Sequence, residues 1–174
     1  MKLLSEKKGL EKLASMRDGF ALRIKVGFEH VAKDCLSCET KGACCLDAHF
    51  VNVRISRLEA IAMRNAIGEL PLDLQARIAE RTEAAIEKYH LRSAEDADAA
   101  TYACPLFEPG IGCLVHSTAK PLPCIAHACY ESREDMPPDE LLDSVEIAVA
   151  DLNQRVYGKA TSQLPIPLAV EKTV

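Results

Sequence analysis

Apolar positions repeat with a helical period along most of this chain. Over residues 2–18, Leu3, Leu10, Leu13 and Met16 fall loosely on one side, which predicts a helix weakened by Gly9. Residues 20–31 fit two periods. Phe20, Leu22, Ile24, Val26 and Phe28 alternate as in a strand, whereas Phe20, Ile24, Phe28 and Val31 share a helix face, and helix is favoured. Phe50 to Ile55 reads as a short extended segment. Ser56 and Glu59 then form a capping-box pattern ahead of Leu58, Ile61, Ala62 and Ala66, predicting a helix over 57–67 that stops at Gly68. Pro71 opens a second helix near 72–91, with Leu74, Ile78, Ala85 and Tyr89 along one face. Residues 93–100 read as an acidic linker or a loose helix.

Pro137 and Pro138 precede DELLDSVEIAVADLNQRVYG. Acids in the first turn and Gly158 at the end predict a helix over 139–157. The remainder, 159–174, reads as an extended tail lying on the surface or on a protein partner. The fold class is therefore mainly α: one small helical domain over 1–158, followed by the tail. Aromatic residues make up only 5% of the chain and Trp is absent, so Leu, Ile, Val and Ala must build the core.

Cysteine placement changes the picture. All eight cysteines fall in two short windows, 35–45 and 104–129. The N-terminal sequence has no signal-peptide core, and no stretch approaches the roughly 18 uninterrupted apolar residues of a membrane span. Both features point to the cytoplasm, where disulfides do not persist and clustered thiols signal metal binding or redox chemistry. Buried structural thiols would instead be scattered through the core. A dithiol oxidoreductase using Cys35 and Cys38 would need a helix after its motif, but residues 39–45 read as loop.

The first window, CLSCETKGACC, holds Cys35, Cys38, Cys44 and Cys45. A C-x-x-C turn sets two sulfurs on one side of a tight loop, as a tetrahedral ion or an iron–sulfur cluster requires. Neighbours in an extended chain point in opposite directions, so Cys44 and Cys45 fit best at different metals or at different corners of a cluster. The second window holds Cys104, Cys113, Cys124 and Cys129 within Pro- and Gly-rich loops. Two helices between the windows can go out and return, bringing the windows together. Eight thiols suffice for two four-thiolate centres, though the sequence does not choose the pairing.

The net charge of -5 would deepen to -13 with eight thiolates, so a cation is needed; Lys33, Lys41 and Lys120 offset part of the rest. That acidity disfavours nucleic-acid binding. His116 and His127 each follow a cysteine by three residues and could join a mixed site, though the reading preferred is a partly exposed turn residue. His49 follows the doublet by four and could support a ligand from behind, while His30 and His90 read as surface or helix-end residues. Arg77 and Arg81 interleave with Glu80, Glu83 and Glu87 as a solvated helix face. Phosphate-loop, G-x-S-x-G, H-E-x-x-H and CxxxCxxC signatures are absent.

CLSCETKGACC, with CPLFEPGIGC and KPLPC downstream, resembles the CxxCxxCC-type cysteine-cluster family, described as a zinc- or iron-chelating domain; flagellin lysine methylases carry a similar cluster. The resemblance spans 35–129 and rests on Cys35, Cys38, Cys44, Cys45, Cys104-Pro105, Gly112-Cys113 and Pro121-x-x-Cys124. It implies chelation of zinc or an iron–sulfur cluster, in one or two centres. His116 stands where the family has Tyr, and Lys120 and Ile125 where it has Arg, which leaves a shared substrate or partner in doubt. Cys129 lies outside the matched positions and reads as the eighth ligand or as a plain buried thiol; ligand is favoured because eight thiols complete two quartets. The doublet and the number of thiols favour iron–sulfur over zinc. The function expected is a metal or redox module. Its alternatives are a structural zinc protein serving a complex, or an iron–sulfur-dependent oxidoreductase or methyltransferase accessory.

Overall fold

The computed structural model describes residues 3–32, 42–46, 53–93 and 101–171. The protein is mainly helical, with six α-helices and four two-residue strands among the described residues. The chain divides into two compact units, each assembled from two separate stretches: Met1–Glu39 with Lys120–Ser162, and Thr40–Ala119 with Gln163–Val174.

The first unit is built on α1 (Glu6–Gly27), which packs against α4 (Leu122–Ala126) and α5 (Asp139–Tyr157). Ser5 caps α1, its hydroxyl accepting the Lys8 N–H at 3.4 Å. The helix runs straight through the segment that also alternates. Phe20 and Ile24 are 4% and 0% exposed, whereas Leu22 and Val26 are 63% and 71% exposed, so the four-residue spacing decides which side chains are buried. α5 has Asp139 and Glu140 in its first turn and Arg155 in its last, matching the helix dipole. Gly158 ends it at φ +76, and its N–H closes on the Gln154 carbonyl at 2.8 Å. The Leu4 N–H donates to the Arg155 carbonyl at 2.9 Å, and the Tyr157 hydroxyl meets Glu6 at 3.0 Å, fastening the start of α1 to the end of α5.

The second unit holds β1 (Arg54–Ile55), α2 (Arg57–Gly68) and α3 (Leu72–Lys88). It continues with a hairpin of β2 (Phe107–Glu108) and β3 (Gly112–Cys113), then β4 (Leu164–Pro165) and α6 (Ile166–Glu171). Both halves of the capping box form at α2: the Glu59 N–H donates to Ser56 Oγ at 3.3 Å, and the Ser56 N–H donates to Glu59 Oε2 at 2.8 Å. The buried side of α3 is Ile78, Thr82, Ala85 and Ile86, one face of a 3.6-residue period.

The C-terminal stretch corrects the expected extended tail. β4 pairs antiparallel with β1, Ile55 opposite Leu164, and α6 packs against both α2 and α3. Those helices make their main contacts with α6 rather than with each other, so the hairpin expected between the windows is bridged by a third helix. Ile166, Leu168 and Ala169 are buried, which is why residues 164–171 fold back instead of remaining in solvent. Arg64 donates to the Ala169 carbonyl at 3.1 Å and Arg92 pairs with Glu171.

Tyr102 joins three segments of this unit. It is 0% exposed; its hydroxyl donates to the Val53 carbonyl at 2.6 Å and accepts the Ile166 N–H at 3.1 Å. Tyr102→Phe removes the donor to a half-buried carbonyl and the acceptor of a buried N–H, and is expected to lower unfolding stability by about 1–3 kcal/mol. Urea denaturation followed by circular dichroism checks this; an unchanged midpoint would show that the hydroxyl does not hold the segments together.

Candidate metal centre

Four of the predicted cysteines lie in the second unit, on elements that meet. Gly42 takes φ +82, a left-handed conformation suited to glycine, and starts a 3-10 turn over Ala43–Cys45. The Cys45 N–H closes it on the Gly42 carbonyl at 2.8 Å. Cys44 and Cys45 therefore sit on a tight turn and not on the extended chain assumed from the doublet. With three residues per turn, successive side chains diverge by about 120° instead of opposing one another.

The second window approaches this turn through Cys104, whose N–H donates to the Cys45 carbonyl at 2.9 Å. Pro105 removes one backbone donor, and the chain then bends back on Cys104. The Phe107 N–H donates to the Cys104 carbonyl at 3.2 Å, and the Leu106 and Phe107 N–H groups both serve the Cys104 thiol. The β2–β3 hairpin places Cys113 opposite Phe107, close enough to Cys104 to act on it electrostatically. The Phe107 ring lies directly over Gly42: a Cβ at Gly42 would stand 1.8 Å from Phe107 Cζ. One aromatic ring thus spans the two cysteine-bearing segments.

Desolvation dominates the electrostatics of Cys104, and with the neighbouring Cys113 it pushes the thiol up to about 12. The Leu106 and Phe107 N–H groups, and Arg81 from α3, pull the other way. These opposing influences describe a sulfur that resists ionising alone, yet is already met by donors that favour the anion. Backbone N–H groups directed at sulfur tune thiolate ligands in metal centres.

Cys124 lies on α4 and Cys129 beyond it, both in the first unit. His127 stands between them, where desolvation, and then Lys120, hold its imidazole below the ordinary histidine range. The His116 N–H closes a turn on the Cys113 carbonyl at 3.1 Å. Cys35, Cys38, Lys33, Lys41 and His49 lie outside the described residues. The six described cysteines carry thiols and not disulfides, and all are half-buried. Among the described residues no group of three or more His, Cys, Asp or Glu side chains is gathered so as to hold a metal ion. The donors thus fit a thiophilic metal in kind, with the described ones short of a complete shell.

The chain matches no protein-family model, no curated protein and no solved structure. The helix face read as solvated proves to touch the cysteine hairpin. Arg81 donates to the Phe107 carbonyl at 2.6 Å and to Glu108 at 2.9 Å, and Arg77 reaches the same carboxylate at 3.1 Å. Their spacing marks them as helix neighbours; only the folded hairpin supplies their partner.

Two outcomes follow from this geometry. Gly42→Ala combines left-handed strain of about 1–2 kcal/mol with displacement of the Phe107 ring, so it should lower the denaturation midpoint. Adding Phe107→Ala should give a double mutant less destabilised than the sum of the single changes; strict additivity would dismiss the ring contact. In metal-free protein, the Cys104 thiol ionises near 9.0 when unfolded and about 12 when folded. Its contribution to stability is full below the first value and is lost as pH rises towards the second. Cys104→Ala should flatten that alkaline decline in unfolding free energy, measured by denaturation across the pH series.

Proposed function

We propose that this chain is a metal-binding module whose clustered thiolates hold an iron–sulfur cluster or zinc, serving as a metal or redox unit. The observation that carries the reading is the meeting of the Cys44–Cys45 turn with Cys104 and Cys113, where backbone N–H groups already attend the Cys104 sulfur. These four residues would hold one centre once a metal draws their side chains together, since unbound they are not gathered into a ligand shell. Cys124 and Cys129 would hold a second with Cys35 and Cys38, the quartet that remains. The likeness of CLSCETKGACC and its downstream cysteines to the CxxCxxCC-type family supports the same chemistry.

An iron–sulfur centre would supply electron exchange, and a four-thiolate zinc would supply a cross-link with no open position for water. The protein's own part is to converge the two loops, to exclude water through Pro105, Leu106 and Val115, all buried, and to present N–H groups to sulfur. Thiols in this number persist in a reducing compartment, which makes the cytoplasm the proposed location. Among the described residues no helix is long and apolar enough to cross a membrane.

Anaerobic purification, followed by counting iron, zinc and sulfide per chain and recording the visible spectrum, tests this. Iron with sulfide and visible charge-transfer absorption supports the redox form, whereas about two zinc per colourless chain supports the structural form. Protein that holds neither metal, even after anaerobic reconstitution, overturns the proposal. Cys44→Ser and Cys45→Ser, made separately, should lose metal from the same centre, equally if it is a single zinc and unequally if the two thiols serve different corners of a cluster; full metal content in both variants would overturn their assignment.

A further inference from the structure

Arg81 lies on α3, remote in sequence from every cysteine, yet its guanidinium is built into the hairpin that carries Cys113. Nη1 donates to the Phe107 carbonyl at 2.6 Å, Nη2 to Glu108 Oε2 at 2.9 Å and Nε to the Arg77 carbonyl at 3.2 Å. Glu108 is only 13% exposed and its other oxygen takes Arg77 Nη1 at 3.1 Å; Arg77 is itself braced by Asp73 at 3.2 Å. One largely buried carboxylate is thus gripped by two cations from successive turns of one helix. The two groups Arg81 holds belong to consecutive residues of β2. Phe107 is the one that opposes Cys113 in the hairpin, presents its N–H to Cys104 and lays its ring over Gly42.

We infer that Arg81 is a positioning residue for the Cys104–Cys113 thiol pair: its two-pronged grip on the Phe107 carbonyl and Glu108 fixes β2 so that the two sulfurs face one ligand. This deepens the metal-binding reading and rests on it. A planar guanidinium meets two acceptors at once, whereas a lysine ammonium keeps the charge but has no such fork. The same cation is close enough to the Cys104 thiol to favour its anion, and would offset part of the negative charge brought by thiolate ligands.

The test uses full-length, metal-free, reduced protein and phenylarsine oxide. This reagent forms two As–S bonds with neighbouring thiols and releases its oxygen with their two protons as water. Iodoacetamide is then added in denaturant, so that every cysteine not held by arsenic is alkylated, and protection of each is read by mass spectrometry. Wild-type Cys104 and Cys113 should be protected together. Arg81→Met should need about tenfold more reagent for half-protection of that pair, with Cys124 and Cys129 unchanged. Arg81→Lys should fall between the two, and Glu108→Gln should weaken protection in the same direction.

Partial rescue by lysine at constant thermal midpoint separates positioning from general loss of fold. Should Arg81→Met not fold, the lysine and Glu108→Gln variants decide the matter alone. An Arg81→Met profile that overlays wild type overturns the inference, as does a wild-type pair that the arsenical does not protect. Wild type that takes the arsenical in an Arg81-dependent way but binds neither iron nor zinc sinks the metal reading while leaving Arg81 its role.

Discussion

The second unit hangs on the hydroxyl of Tyr102. It gives a hydrogen bond to Val53, just before β1, and receives one from Ile166, at the start of α6. The ring carrying it is fully buried, the Ile166 bond is buried and the Val53 bond partly so, which limits how far water can replace them. The β1–β4 ladder is only two residues long on each strand and is a weak fastening by itself. Tyr102 adds a cross-link at the same place from a third segment. Because it lies two residues before Cys104, the anchor that holds the C-terminal helix in place also fixes where the second cysteine window begins.

From that anchor the chemistry of the thiol locus follows. Cys104 is brought against the Cys44–Cys45 turn by a backbone hydrogen bond, turned on itself by Pro105, and set beside Cys113 by the hairpin. The environment makes a lone thiolate expensive while supplying the N–H donors and the cation that a thiolate would use. Such a setting is poorly suited to an exposed attacking thiol, whose reactivity depends on a lowered pKa. It would suit a sulfur that shares its charge with the metal proposed above. Arg81 and Arg77 meet over Glu108 at the edge of this locus, so α3 acts as a scaffold for the hairpin as well as a wall of the core.

Much of the helical frame was legible from local signals. Ser56 and Glu59 marked the start of α2, Gly158 marked the end of α5, and the period of Ile78, Ala85 and their neighbours marked α3, because caps and period act within one or two turns. The doubtful stretch from Phe20 to Val31 resolved as helix through residue 27, since Phe20 and Ile24 are buried while Leu22 and Val26 are not. Residues 164–171 were misread because Pro165 and Pro167 suggest an extended chain. Their burial depends on β1, α2 and α3, far away in sequence. The doublet was misread for a related reason: its 3-10 turn depends on Gly42, whose conformation is tied to the Phe107 ring from the other window.

The sequence by itself determined the helical class, the caps at Ser56 and Gly158 and the concentration of thiols in two windows, since composition and short-range periodicity are properties of neighbouring residues. Tertiary structure alone decided that the chain forms two units, that Cys44 and Cys45 share a unit with Cys104 and Cys113, and that α6 joins α2 to α3. It also decided that Arg81 belongs to the thiol locus. Charges four residues apart on a helix look solvated until a carbonyl and a carboxylate from a distant hairpin arrive to meet them, and no local pattern encodes that arrival.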